Sequence, residues 1–357
     1  MINVRLTQST TNLGCSCKLD PGTLSEVLGS LAATKHSSLI VGPEGRDDAA
    51  IIDINADFYL VNTVDFFTPI VDDAFEYGEI AAANAISDIY AMGGRPVSAV
   101  SILGWPVDKL PVSVAGQVLA GGSATCVRAG IPLAGGHSIN AAEPFFGLAV
   151  TGVVAKNLFK QNNTPQPNDW LFLTKPIGTG LITKAKRLNI AFPEESYQQT
   201  VSSMRQLNSF GAAVAEIAGV HAMTDITGFG LGGHLLEMMA NVPNHIAKIS
   251  VPSIPKLPSF AELYTQGQLP GLASKNWRSS NNQIKVDDQL GFSLACDPQT
   301  NGGLLIAFAP AYLPEIQKLT TSYHIPKDCL QPIGVISEKN IPEKIWLTNQ
   351  QFEPKVN

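Results

Sequence analysis

Charge is scarce in this chain. Asp, Glu, Lys and Arg make up 15% of its 357 residues, against about a quarter in an average soluble domain. The shortage does not signal disorder, because 45% of the residues are hydrophobic and a chain of this length can bury a sizeable core. A basic excess is also missing. There are 24 Lys and Arg against 30 Asp and Glu, a formal net charge of −6. Nucleic-acid binders draw most of their affinity from cations on phosphate, so no nucleic-acid partner is expected. Five cysteines, at 15, 17, 126, 296 and 329, are too few and too scattered for a disulfide framework. A reducing, cytoplasmic setting is therefore expected. No run of 18 apolar residues occurs, so no membrane span or membrane partner is expected. The opening MINVRLTQSTTN has no apolar core of signal-peptide length. Neither of the two commonest phosphate loops, G-x-x-x-x-G-K-[ST] or strand–G-x-G-x-x-G–helix, is present.

The length suggests two domains. Residues 1–18 are polar, lack a period and read as a mobile arm. Asp20 and Pro21 make a helix start, followed by Leu24, Val27, Leu28 and Leu31 on one face. Strands are expected over 38–41, 49–54, 58–64, 97–103, 131–134 and 146–154. Long helices are expected over 75–92 and 113–129, the second interrupted by Gly121 and Gly122. The polar stretch 156–169 holds two prolines and reads as the linker between a domain over 19–155 and one over 170–357. In the second domain, strands are expected over 170–174, 223–227, 303–308, 330–337 and 344–347. Helices are expected over much of 194–220 and over 234–239 and 310–323, with a loop over 265–291. Strands and helices mix without strict alternation, which gives an α+β class.

Three features could carry chemistry. Gly14-Cys15-Ser16-Cys17-Lys18 places an ammonium near two thiols, and a nearby cation lowers a thiol pKa. The flanking glycine and serine suggest an accessible sulfur. Incidental cysteines on a tail, or half of a metal site short of partners, are the alternatives. The second feature is a set of aspartates at strand ends and on an Ala-rich helix: Asp47, Asp48, Asp65, Asp88 and Asp225. Asn84 and Asp88 are four apart and share a helix face. A bare carboxylate among alanines is costly, and Mg²⁺ shared with nucleotide phosphates would resolve that cost. Caps and turns are the alternative reading. The third feature is three glycine-rich runs, Gly135-Gly136-His137-Ser138, 228–233 and 301–303. They allow backbone amides to approach phosphate, or they are simply turns.

In combination these segments resemble the selenophosphate synthetase (selenide, water dikinase) family. The resemblance runs through LTQ…GCSCK (6–18), GRDDAA (45–50), TVDFFTPIVDD (63–73), NAISDIYAMGG (84–94), LAGGHSI (133–139), MTDITGFGLGGHL (223–235) and CDPQTNGGLL (296–305). The aspartate and glycine pattern is similar to that of the wider aminoimidazole-ribonucleotide-synthetase-like ATP-dependent superfamily. The GCSCK arm selects this member.

The resemblance implies conversion of selenide, ATP and water to selenophosphate, AMP and orthophosphate, with Mg²⁺ required and K⁺ favoured. It implies Cys15 and Lys18 as catalytic residues and Asp48, Asp88 and Asp225 as Mg²⁺ ligands. It also implies Lys18, Gly45, Arg46, Asp47, Asp65, Asp88, Gly136, His137 and Ser138 as nucleotide-binding positions. A two-domain α+β fold is implied, with N-terminal domains pairing into a β-barrel in a homodimer. Selenide and ATP are the implied small-molecule partners, with a transient selenium-delivery protein as a further one. The chain departs from the family at Thr11 and Asn12, where histidine and glycine are usual, at Ser16 in place of glycine, and at Asn301 in place of serine. Two alternatives stand beside this reading. One is another superfamily kinase or synthetase, which would not need Cys15 and Lys18. The other is a non-catalytic selenium-binding protein.

Overall fold

A computed structural model describes residues 4–19, 21–29, 36–43, 47–280 and 282–353. Helix α1 (Pro21–Leu28) follows the arm. Its expected cap Asp20 and its expected contact Leu31 lie outside the described residues. The first half then builds β1 (Leu39–Val41), β2 (Ala50–Asp53), β3 (Phe58–Phe67), α2 (Ala74–Ala91), β4 (Arg95–Trp105), α3 (Val112–Arg128), β5 (Leu133–Asn140) and β6 (Phe145–Ala155). Among the described residues these strands form one six-stranded sheet, ordered β1-β2-β3-β6-β4-β5. β3 and β6 pair antiparallel from Phe58↔Ala155 to Phe67↔Phe146. The two-residue period of β3 sends Val61 and Phe67 into the core and leaves Val64 and Phe66 exposed.

α2 is buried over most of its length because alanines dominate it. It packs on α3 at backbone distance. A Cβ on Gly78 would fall 1.9 Å from the Val118 carbonyl oxygen, and one on Gly121 would fall 2.0 Å from that of Phe75. The glycines expected to interrupt α3 therefore sit inside a continuous helix and permit this close crossing. The packing energy exceeds their cost in helix propensity.

The second half comprises β7 (Trp170–Leu173), α4 (Thr179–Arg187), α5 (Glu194–Arg205), α6 (Phe210–Val214), β8 (Val220–Asp225), α7 (Gly230–Met238) and β9 (His245–Ser250). It continues through α8 (Phe260–Thr265), α9 (Gly271–Ser280), β10 (Ile284–Val286), α10 (Gln289–Cys296), β11 (Leu304–Phe308), α11 (Leu313–Thr320), β12 (Gly334–Glu338) and β13 (Ile345–Thr348). Its strands form a sheet ordered β10-β13-β9-β12-β7-β11-β8. β11 is buried on both faces. Leu304, Ile306 and Phe308 meet Phe210, Val214, Leu313 and Ile316, while Leu305 and Ala307 join the main core with Leu231, Leu235 and Leu294. The α+β class expected from the sequence is the observed one.

Local expectations differ in four places. Residues 265–291 are not one loop, because they hold α9 and β10 and the start of α10. The polar residues of α9 that obscured it lie on its exposed side, while Leu272, Ala273 and Asn276 face inward. The helix expected over 194–220 is divided, with α5 ending at Arg205 and α6 at Val214. Helix α7 begins at Gly230, inside the glycine-rich run. Gly135-Gly136-His137-Ser138 is not a loop but part of edge strand β5, paired in parallel with β4.

Candidate active site

The site grows from two periodicities. On α2, Asn84 and Asp88 project from one face. On β3, Thr63 and Asp65 point to the same side, opposite Val64. Sheet and helix lie against each other, so Asn84 Nδ2 donates to Asp65 Oδ2 at 2.6 Å and the Thr63 hydroxyl donates to Asp88. The second sheet approaches through the end of β8, where Thr224 Oγ1 donates to Asp48 Oδ1 at 2.8 Å and Asp225 is 1% exposed. Asp47, Asp48, Asp65, Asp88 and Asp225 thus share one cleft of about 430 Å³ with Lys18 and His234.

The cleft is strained electrostatically. Burial, then the neighbouring charges of Asp225, Asp47 and Asp88, raises Asp48 well above the usual carboxylate range. Burial, then Asp225 and Asp65, does the same to Asp88. Asp225 is also raised, chiefly by burial. Asp47 is pushed up to about 6 by burial, although the backbone amides of Asn162 and Asp48 donate to its carboxylate. Among the described residues, one buried carboxylate oxygen each on Asp47, Asp48 and Asp225 finds no hydrogen-bond partner.

The arm closes one side. Gly14 bridges to Thr68, Thr7 donates to Asp72 through both N–H and hydroxyl, and both Thr10 and Thr11 donate to Glu143. Arg187 donates to the Thr10 and Thr11 carbonyls. Leu6, Leu13 and Cys15 are buried. The sulfur expected to be accessible is therefore enclosed, with Cys15 1% exposed, because the arm carries its own apolar residues into the body. Cys15 Sγ lies 3.6 Å from Asn84 Oδ1, and the Cys15 amide donates to Thr300 Oγ1. Burial pushes its thiol up, and Lys18 opposes that shift. Lys18 Nζ sits 2.7 Å from Asp65 Oδ2. Burial works against its charge, but Asp65 and then Cys15 outweigh it and raise the ammonium.

Profiles of the AIR synthase related protein family match this chain twice, the N-terminal domain over residues 46–154 and the C-terminal domain over 166–346. A protein of Shewanella sp. (strain W3-18-1) named "Selenide, water dikinase" is 46% identical over 329 residues, covering 92% of this chain and 93% of its own. The same figures hold for its namesake in Shewanella baltica (strain OS155 / ATCC BAA-1091). The chain belongs to the selenide, water dikinase family.

That membership makes it a kinase-type enzyme of an ATP-using family and sets aside the non-catalytic alternative. Solved structures share the fold at lower identity. Thiamine-monophosphate kinase from Stenotrophomonas maltophilia K279a superposes with a TM-score of 0.63 at 20% identity, covering 88% of this chain and 93% of its own. Hydrogenase maturation protein HypE in complex with ATP gives 0.61 at 16% identity, covering 89% and 87%.

Against the family reading, the expected residues fall into three groups. Cys15, Lys18, Asp47, Asp48, Asp65, Asp88 and Asp225 converge. Gly136, His137 and Ser138 lie on exposed β5 and do not line the cleft. Gly45 and Arg46 lie outside the described residues. Sequence reasoning passed over the buried polar run Asp297, Gln299, Thr300 and Asn301 as a structural device. Asn301 has a positive φ of 47°, and its amide donates to Asn84 Oδ1 at 2.8 Å. Lys175, pushed down to about 7 by burial, holds the Asn301 and Gln206 carbonyls. The signal was available as a polar run between two apolar elements.

Proposed function

We propose that this chain makes selenophosphate from selenide, ATP and water, releasing AMP and orthophosphate, for selenocysteine and selenouridine formation. The observation that supports it best is the meeting of Lys18 with five aspartates at one cleft, with the buried Cys15 linked to it through Asn84 and Asp65. A superfamily kinase would need the aspartates alone.

The donor set suits Mg²⁺. Oxygens on Asp47, Asp48 and Asp225 that find no partner among the described residues, and carboxyls raised by burial and by one another's charge, are what a hard divalent cation would satisfy. Among the described residues, no three His, Cys, Asp or Glu form a ready metal cage. That fits a cation held by one or two carboxylates and completed by phosphate oxygens and water. Asp48, Asp88 and Asp225 would share the holding of such cations, one or two carboxylates to each. When bound, Mg²⁺ supplies positive charge that neutralises ATP.

The chain's own residues do the rest. Lys18 carries a positive charge on the arm, where it reaches the same cleft and can neutralise a transferring phosphoryl group. Asp65 and Asn84 hold that ammonium and the Cys15 sulfur in fixed relation. The arm, pinned through Asp72, Glu143 and Arg187, excludes water while the selenium acceptor is in place. Cys15 contacts or positions selenium. Lys18, Asp47, Asp65 and Asp88 are proposed nucleotide contacts, joined by Gly45 and Arg46. Gly136, His137 and Ser138 can serve only by reaching a neighbouring subunit. That role goes with a homodimer built on the first sheet, whose exposed Val64, Phe66 and Ile139 would be covered in a β-barrel. K⁺, a cytoplasmic location and transient contact with a selenium-delivery protein belong to the same reading. So does the division into the arm over 1–18, domains over 19–155 and 170–357, and a linker over 156–169.

Phosphorus NMR of the products formed from ATP, Mg²⁺ and selenide tests the assignment. Selenophosphate with AMP is expected. ADP without a selenium-coupled resonance would overturn it.

A further inference from the structure

The arm is a partition with a cleft on each side. Lys18 faces the aspartate cleft. Leu13 and Ser16, which flank Cys15, instead line a second cleft of about 550 Å³. Its far wall is formed by α4 and the start of α9, and it carries Lys184, Arg187 and Lys275. No Asp or Glu is among its described lining residues. Two of its cations also shape it. The Lys184 ammonium donates to the Leu269 carbonyl, and Arg187 pins the arm at Thr10 and Thr11. Lys275 is exposed at the rim.

The two clefts differ in what they attract. The aspartate cleft suits a nucleotide that arrives with its cations and then fills it. A small soft anion approaching the same way would meet five carboxylates. Hydrogen selenide is a monoanion at neutral pH. The second cleft offers it three positive charges, no Asp or Glu among the described lining residues, and a wall that includes Leu13 and Ser16 on either side of the buried Cys15. Such a lining raises local anion concentration and association rate.

We propose that this basic cleft is the selenide-binding vestibule, through which the anion reaches Cys15 from the side opposite ATP. Cys15 then lies at the junction of two separate approaches. The anion passes from the Lys275 rim, along Lys184 and Arg187, to the Leu13–Ser16 segment. This inference rests on the reading of the chain as a selenophosphate synthetase.

The test is steady-state kinetics of Lys275→Glu with selenide varied at saturating MgATP, beside Lys275→Arg. A unit charge about 4 Å away in water changes an encounter by about fivefold, so reversal gives roughly 25-fold. The expected result is a fall of that order in kcat/KM for selenide. KM for MgATP and kcat at saturating selenide should stay unchanged, and Lys275→Arg should behave as wild type. Raised ionic strength should lower kcat/KM for selenide in wild type and much less in Lys275→Glu. An unchanged kcat/KM for selenide in Lys275→Glu overturns the vestibule, as does an equal change in KM for MgATP. Wild-type protein that yields no selenophosphate by phosphorus NMR would overturn the functional reading instead, so the two failures are distinguishable.

Discussion

Replacing Asp47 with asparagine should stabilise the ligand-free protein while weakening its nucleotide site. Asp47 titrates near 6 when folded, against an ordinary value of 3.8. An acid raised in the folded state binds its proton more tightly there, so its cost grows as pH rises from the unfolded value through the folded one and is constant above it. At 1.36 kcal/mol per tenfold in proton affinity, the full cost is about 3 kcal/mol at pH 8. Water at its half-buried edge reduces this to about 1–3 kcal/mol. The amide side chain would keep an oxygen for the Asp48 and Asn162 backbone N–H groups and remove only the charge. Thermal unfolding of Asp47→Asn in EDTA should therefore show a midpoint raised by roughly 2–6 °C at pH 8, with about half of the gain left at pH 5. MgATP affinity by calorimetry should fall by roughly tenfold. A variant no more stable than wild type at pH 8, or one whose gain is undiminished at pH 5, would refute the reasoning.

Three further outcomes follow from the geometry. Cys15→Ser should abolish selenide-dependent AMP formation while circular dichroism and the unfolding midpoint stay near wild type; normal turnover would remove Cys15 from the chemistry. Asp225→Ala and Asp48→Ala should each weaken Mg²⁺-dependent nucleotide binding by calorimetry, and unchanged affinity in both would remove the metal-site reading. Glu143→Ala takes away the acceptor of Thr10 and Thr11, so limited proteolysis within residues 4–19 should accelerate by roughly tenfold. The Glu143 pKa is lowered in the fold, first by the Thr11 hydroxyl. Its contribution to arm docking is therefore present above the unfolded carboxylate pKa and lost as pH falls, and wild-type arm protection should weaken in acid. Equal cleavage of variant and wild type would dismiss the contact.

Much of the site was legible before any fold. Asp88 and Asn84 share a face because four residues make about one helical turn, and an aspartate within NAISD calls for an explanation wherever that helix packs. Asp48 and Asp225 stand beside apolar strands, where bare charge is expensive. The glycine runs were less legible. Gly121 reads as a helix breaker in one dimension, but its purpose is a close contact with the distant Phe75. Gly136 reads as a phosphate loop, but parallel pairing with Ser101 makes it strand. Local sequence does not record such long-range partners.

The sequence by itself pointed to the class of chemistry through the resemblance of its motifs to a known family, because local spacing alone left the thiol, the ammonium and the carboxylates open to other readings. It also determined the mixed α and β architecture, through apolar periodicity. Tertiary structure alone decided the state of each group. Asp225 lies in the other half of the chain from Asp48, and its charge raises the Asp48 pKa only because two sheets meet. Cys15 is buried only because Leu6 and Leu13 dock. The arm separates an acidic cleft from a basic one only because α4 and α9 converge behind it. Burial and charge proximity depend on distances in space, and a chain fixes those only when it folds.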